Sequence, residues 1–197
     1  MLHGNGEDHS IFDVLIPQLS QKYTVYAIDS RDHGKSSRVK SLDYSSMMED
    51  IAGFIQGLGI QKPVLYGFSD GGIIGLLLAI KYPTMLSKLI ISGANTNPSG
   101  IKGHLLFLLR VMYFFTRNRK YKLMLTQPNI TDAELNTIVT STLVLAGSKD
   151  FLKEKHTRNI AKNIPNSRLK ILNGESHTSY VIHSGKVFKI IKPFLDE

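Results

Sequence analysis

Short apolar runs, each closed by turn-forming residues and separated by stretches with helical spacing, recur along this chain and set its fold class. Tyr23 to Ile28 ends at Asp29, Pro63 to Tyr66 at Gly67, and Leu89 to Ile91 at Ser92-Gly93. Thr142 to Ala146 ends at Gly147 and Leu169 to Leu172 at Asn173-Gly174. Runs of this kind are what strands covered on both faces require. Between them, Ile11, Phe12, Leu15, Ile16 and Leu19 keep the spacing of an α-helix, as do Met47, Met48, Ile51, Phe54, Ile55 and Leu58, with Ser46 and Glu49 at capping-box spacing. Gly71 to Tyr82 is apolar on all sides and stops at Pro83; Ile160 and Ile164 precede Pro165; Val181 to Leu195 forms a C-terminal amphipathic pattern. The alternation predicts an α/β fold, a mostly parallel sheet with helices on both faces. At 197 residues the chain makes one domain, 1–197. Residues 97–140 exceed what a plain crossover needs and contain the apolar stretch Leu105 to Phe115. They are read as a small helical cap over the strand ends, an extra packing helix being the plainer alternative.

Composition narrows the chemistry. Hydrophobic residues make up 42% and charged residues 20%, the balance of a globular protein. No apolar run reaches the roughly 18 residues of a membrane span, and the first residues lack the basic start and apolar run of a secretory signal, so a cytoplasmic protein is expected. Cysteine is absent, which excludes disulfides, thiolate nucleophiles and cysteine-held metals. The 24 Lys and Arg against 16 Asp and Glu give +8. Their one tight cluster, Arg117, Arg119, Lys120 and Lys122, has no nucleic-acid module around it, so it reads as solvated surface and no nucleic-acid partner is expected.

The strongest local signal is Gly67-Phe68-Ser69-Asp70-Gly71 between an apolar run and an apolar helix. A nucleophile on a sharp strand-to-helix turn needs small neighbours two residues to either side, and Gly67 and Gly71 supply them. A serine hydroxyl needs a base, and the base needs a group that fixes its tautomer. Asp150 follows the run Thr142 to Ala146 and His177 follows Leu169 to Leu172, giving the order Ser, Asp, His. His3 and His33 each precede a glycine and read as loop residues; His9, His104, His156 and His183 sit in or beside helical patterns. Among other carboxylates, Asp29 and Asp132 lack a position after the penultimate strand. Two backbone N–H groups should face a developing oxyanion: that of Asp70, and one from Leu2-His3-Gly4-Asn5-Gly6, where Asn5 is the first choice and Gly6 the second. The cap residues Leu106, Phe107, Tyr113 and Phe114 are expected to line an apolar substrate pocket.

With these pieces in order, the chain resembles the α/β-hydrolase superfamily. The matching parts are His3-Gly4, the Asp29 to Ser36 loop, the Gly67 to Gly71 turn, Tyr82-Pro83, Gly147 to Asp150 and His177. Gly67-Phe68-Ser69-Asp70-Gly71-Gly72 with Lys81-Tyr82-Pro83 and Ser92 to Asn95 is similar to the biphenyl-hydrolase-like branch, which includes amino-acid ester hydrolases. The resemblance implies a serine hydrolase acting on a small ester or acyl substrate without metal or organic cofactor. Other triad chemistry, such as cofactor-free haloperoxidase or carbon–carbon hydrolysis, or a binding protein that keeps the fold, are the alternatives. The branch also implies that the Asp70 carboxylate can hold a substrate ammonium, a helix-terminal carboxylate being the simpler reading. Asp32 and Ser176 stand where the family usually has glycine. At the start, where the family has a strand before His-Gly and two more before it, only Met1 and Leu2 stand here. The expectation is an N-terminally shortened fold whose sheet has a gap between the strand ending at Asp29 and the one ending at Tyr66, left open or filled by rearrangement or another chain.

Overall fold

The computed structural model describes residues 1–197. Its centre is a four-stranded, all-parallel sheet in chain order: β1 (Val64–Phe68), β2 (Lys88–Ser92), β3 (Ser141–Gly147) and β4 (Ser167–Leu172). Register runs Leu65 beside Leu89 beside Thr142, and Thr142 beside Ser167, so the strands end together near Phe68, Ser92, Gly147 and Leu172. Side chains alternate between two cores, as the pleat demands. Leu65, Leu89, Ile91 and Val144 face α2 (Tyr44–Gly57), α3 (Asp70–Lys81) and α7 (Glu154–Asn163). Tyr66, Phe68, Ile90, Leu143 and Leu145 face α1 (Leu15–Leu19) and α8 (Lys186–Leu195). Helix α3 is apolar all round because it is buried almost throughout, against β1 and β2 on one side and α2 on the other. The expected fold class is observed.

Several local expectations need correction. Helix α2 is capped by Asp43, whose Oδ1 accepts from the Ser46 N–H at 2.7 Å, and not by Ser46 itself. Helix α8 begins at Lys186, five residues beyond Val181, because Val181 and Ile182 are held in a turn through the Thr178 carbonyl. Residues 97–140 hold a 3-10 turn at Pro98–Gly100 and three α-helices, α4 (Gly103–Thr116), α5 (Arg119–Thr126) and α6 (Asp132–Leu135). They are stitched to the loop after β3 by Lys102 N–H to the Phe151 carbonyl and Lys153 N–H to the Gly100 carbonyl.

The first expected strand, Tyr23 to Ile28, forms no ladder. Leu2 alone bridges it to the sheet, pairing in parallel with Ile28 on one side and Gly67 on the other. The Leu2 N–H donates to the Tyr66 carbonyl and the Phe68 N–H to the Leu2 carbonyl, both at 2.9 Å; the Ile28 N–H donates to the Met1 carbonyl at 3.1 Å. Below this bridge lies an apolar cavity of about 550 Å³ between Thr24–Ile28 and Val64–Tyr66, floored by Ile51, Phe54 and Ile55. A strand ladder needs a partner along its length, and of this run only Ile28 is bridged. In a parallel strand alternate residues point to opposite neighbours, so the Tyr66 N–H, on the side of Leu2, faces this cavity. Amide hydrogen exchange should therefore run about a hundredfold or more faster at Tyr66 than at Ile90, which lies in a strand paired on both sides. Equal protection of the two amides would show that the edge of β1 is covered.

Candidate active site

Strand β1 ends at Phe68 and α3 starts at Asp70, so Ser69 alone makes the turn between them. It does so at φ 52° and ψ −113°, a region that side chains enter at a cost of about 1–3 kcal/mol. The surroundings hold it there: the Ser69 N–H donates to the Ser92 carbonyl at 2.8 Å, and the Ser69 carbonyl accepts from Gly72 and Ile73. A Cβ at Gly67 would run into the carbonyl of Gly71, and one at Gly71 into the carbonyl of Leu2. The turn closes only because both lack one.

The loops leaving β3 and β4 bring two further groups to this turn. His177 Nε2 lies 3.1 Å from Ser69 Oγ, and His177 Nδ1 lies 2.8 Å from Asp150 Oδ1. A carboxylate can only accept, so Nδ1 carries the proton and Nε2 presents its lone pair to the serine hydroxyl. The rings of Phe151 and Phe68 flank the imidazole, with centroids 4.0 and 5.0 Å away. Gly93 lies behind it, and a Cβ there would come within 2.7 Å of the ring. Asp150 is fixed in turn by the Leu152 N–H on Oδ1 and, through its own carbonyl, by the Lys102 ammonium. The three side chains that the chain order singles out are thus joined in one hydrogen-bonded chain through His177.

The His3 to Gly6 loop lies alongside. His3 is buried; its Nδ1 donates to the Gly4 carbonyl and its Nε2 accepts from the Ser30 N–H, so the ring is neutral and structural, and burial lowers its pKa. The Asn5 and Asp70 backbone N–H groups donate to no protein acceptor. The Asn5 side chain instead donates to Asp70 Oδ2 at 3.0 Å, while Tyr44 Oη donates to Asp70 Oδ1 at 2.7 Å. Asp70 is only 4% exposed, and burial pushes its pKa up to about 6 against the pull of these two donors. Nearby, burial also raises the pKa of Glu7, whose Oε2 accepts from the Gly4 N–H.

The competing groups have other work. Asp29 accepts from the backbone N–H groups of His9 and Lys35, Asp132 from Asn159, His156 from the Thr96 N–H, and His183 pairs with Asp13. The expected pocket residues are a correction. Phe107 and Phe114 are 67% and 64% exposed on α4, Tyr113 stacks under Arg117, and Leu106 packs beside Leu109 and Ile101. None of the four lines the small cavity at Ser69: α4 turns Phe107 and Phe114 out to solvent and packs Leu106 on Ile101 and Leu109. Tyr44, Asp70, Asn95, Ile101, Met124, Gln127 and Phe151 line it instead. Of these, Phe151 is missed by the sequence reading although it adjoins Asp150; Tyr44 and Met124 carry no local signal and reach the site through helix packing alone.

Residues 1–133 match the family model described as alpha/beta hydrolase fold. The chain belongs to the α/β hydrolase fold family. A protein of Haemophilus influenzae named for esterase/lipase activity is 24% identical over all of this chain and 82% of its own length. The strigolactone esterase of Arabidopsis thaliana is 30% identical over 47% of this chain, a match spanning 37% of that relative. Among solved structures, an esterase from Exiguobacterium antarcticum superposes with a TM-score of 0.85 at 21% identity, covering 100% of this chain and 91% of that one. A meta-cleavage product hydrolase from Pseudomonas fluorescens superposes at 0.80 and 17% identity, over 99% and 89%. At such identities the superpositions establish the fold.

The Asp70 carboxyl gives this hydrolase-fold chain a testable pH dependence. Its folded pKa of about 6 lies above the ordinary 3.8, so between those values the folded state binds more protons than the unfolded one. Stability is therefore lost as pH rises through that window, by about 3 kcal/mol in all. Replacing Asp70 by Asn removes the titration. Thermal melts should show the variant gaining on the parent as pH goes from about 4 to about 7; a constant difference across that range would contradict the assignment.

Proposed function

We propose that this α/β hydrolase is a serine hydrolase that cleaves a small carboxylic ester or related acyl substrate through an acyl-enzyme. The hydrogen-bonded chain from Ser69 through His177 to Asp150 carries the reading. In the cycle, Ser69 Oγ attacks the substrate carbonyl while His177 Nε2 takes its proton, and the imidazolium formed is stabilised by Asp150. The proton then passes to the leaving alcohol, whose departure leaves the acyl group on Ser69. Water, deprotonated by the same imidazole, releases the acid and restores the hydroxyl. The unengaged N–H groups of Asn5 and Asp70 are the donors for the oxyanion in both steps. The nucleophile, the base, its orienting carboxylate and the oxyanion donors in this cycle all belong to the chain itself. The esterase and lipase names of its relatives support hydrolysis of this kind.

The substrate side is sterically limited. The cavity at Ser69 is about 10 Å³, enough for about one water. An acyl group enters only if Ile101, Met124 or Gln127, all from the inserted segment, give way. That segment then acts as a cap and its movement selects for small acyl groups. A cationic substrate would meet Asp70, whose two oxygens accept from Tyr44 and Asn5 and each keep a second lone pair for an ammonium.

A panel of short-chain p-nitrophenyl esters tests the proposal. The parent should turn over acetate or butyrate esters, and Ser69→Ala should lower kcat about a thousandfold or more with little change in thermal stability. His177→Ala should fall as far. Turnover that survives Ser69→Ala, or none with any ester, would overturn the reading.

A further inference from the structure

Helix α4 is apolar where it should be polar. Phe107, Leu108, Met112, Phe114 and Phe115 are all exposed, Phe115 at 78%. At 100° per residue they fall, with Val111, on one arc of about 160°, interrupted only by His104. The opposite face, Leu105 and Leu109, is already used against Ile101 and Leu152. A helix apolar on both faces at a protein surface has one face without a partner.

The charges that its own segment places around that arc are of one sign. Between Asp70 and Asp132 the sequence contains no Asp or Glu, whereas 97–131 contains Lys102, Arg110, Arg117, Arg119, Lys120 and Lys122. Arg110 lies at the edge of the apolar arc. Arg117, at the helix C-terminus, stacks its guanidinium over Tyr113 and Phe114 at 5.7 and 5.5 Å, which holds a cation beside the exposed rings. Arg119 is paired with Asp32, but Arg110, Arg117 and Lys122 have no acidic partner.

We propose that α4 and the basic segment following it dock on an anionic lipid bilayer, with the helix in the plane of the interface, its phenylalanines among the acyl chains and its cations at the headgroups. Apolar side chains flanked by cations and free of carboxylates fit that interface on both counts. Two copies of this face would bring like charges together without a carboxylate to relieve them. A nucleic acid would use the cations but leave the phenylalanines in water. The same segment supplies Ile101, Met124 and Gln127 to the wall of the Ser69 cavity, so a bilayer that engages α4 bears on the residues that must yield to admit substrate. The docking itself is independent of the proposed catalysis.

Vesicle flotation of the full chain tests this. Vesicles containing phosphatidylglycerol should capture it about tenfold or more better than pure phosphatidylcholine, and high salt should weaken the capture. Phe107→Ser with Phe114→Ser should cost about tenfold, as should Arg110→Glu with Arg117→Glu, while Ser69→Ala should bind as the parent does. The chain has no tryptophan, so Phe115→Trp provides a single fluorophore whose emission should shift to the blue on adding the anionic vesicles, independent of how well the double variants fold. Failure to bind, binding without a blue shift, a stronger preference for duplex DNA, or self-association through this face in place of vesicle binding would each overturn the proposal.

Discussion

The packing of backbone against backbone around Ser69 is the constraint on which the rest of the molecule depends. Three segments meet there with no Cβ between them: the end of β1, the first turn of α3 and the carbonyl of Leu2. Because the strands of a parallel sheet end on the same side, the loops after β3 and β4 open at the same rim, and the residues they carry need travel only a few ångströms to reach the serine. The left-handed turn costs free energy that α3, buried on every side, supplies. Stability and chemistry are coupled through that helix.

Leu2 has a second role. Its two hydrogen bonds to β1, and that of the Gly71 N–H to the His3 carbonyl, are what hold the Asn5 loop next to Asp70. The cavity beneath it removes the neighbours that a ladder would give, and the loop is anchored by Leu2 to Gly67 on one side and by Leu2 to Ile28 and His3 to the Ser30 N–H on the other. The links from Asn5 to Asp70 and from Asp70 to Tyr44 add to that positioning. A carboxyl whose pKa is raised to about 6 by burial sits in the middle of them, which ties the placement of the Asn5 loop to pH.

Much of this is legible in the sequence alone. Apolar runs closed by turn residues marked β1 to β4, since a strand covered on both faces has little choice of composition. Ser69, Asp150 and His177 each follow such a run, and in a parallel sheet that alone brings them to one end. Tyr23 to Ile28 shows where this reasoning stops: it has a strand's composition, but a strand exists only by pairing, and here only Ile28 is bridged, to Leu2. Phe107 and Phe114 show another limit. Helical spacing tells which residues share a face, not which face meets the protein, and on α4 both faces are apolar. Ser46 and Asp43 are equally good capping residue types, and only backbone geometry chose between them.

The central claim is that the serine at the turn is made nucleophilic by the histidine held beside it. Treating the protein with a fluorophosphonate and locating the adduct by peptide mass spectrometry tests this most directly. The account predicts a single phosphonylated peptide, modified at Ser69, whose formation is lost when His177 is replaced by Ala. An unmodified Ser69, or an adduct that forms equally well without the imidazole, would contradict it.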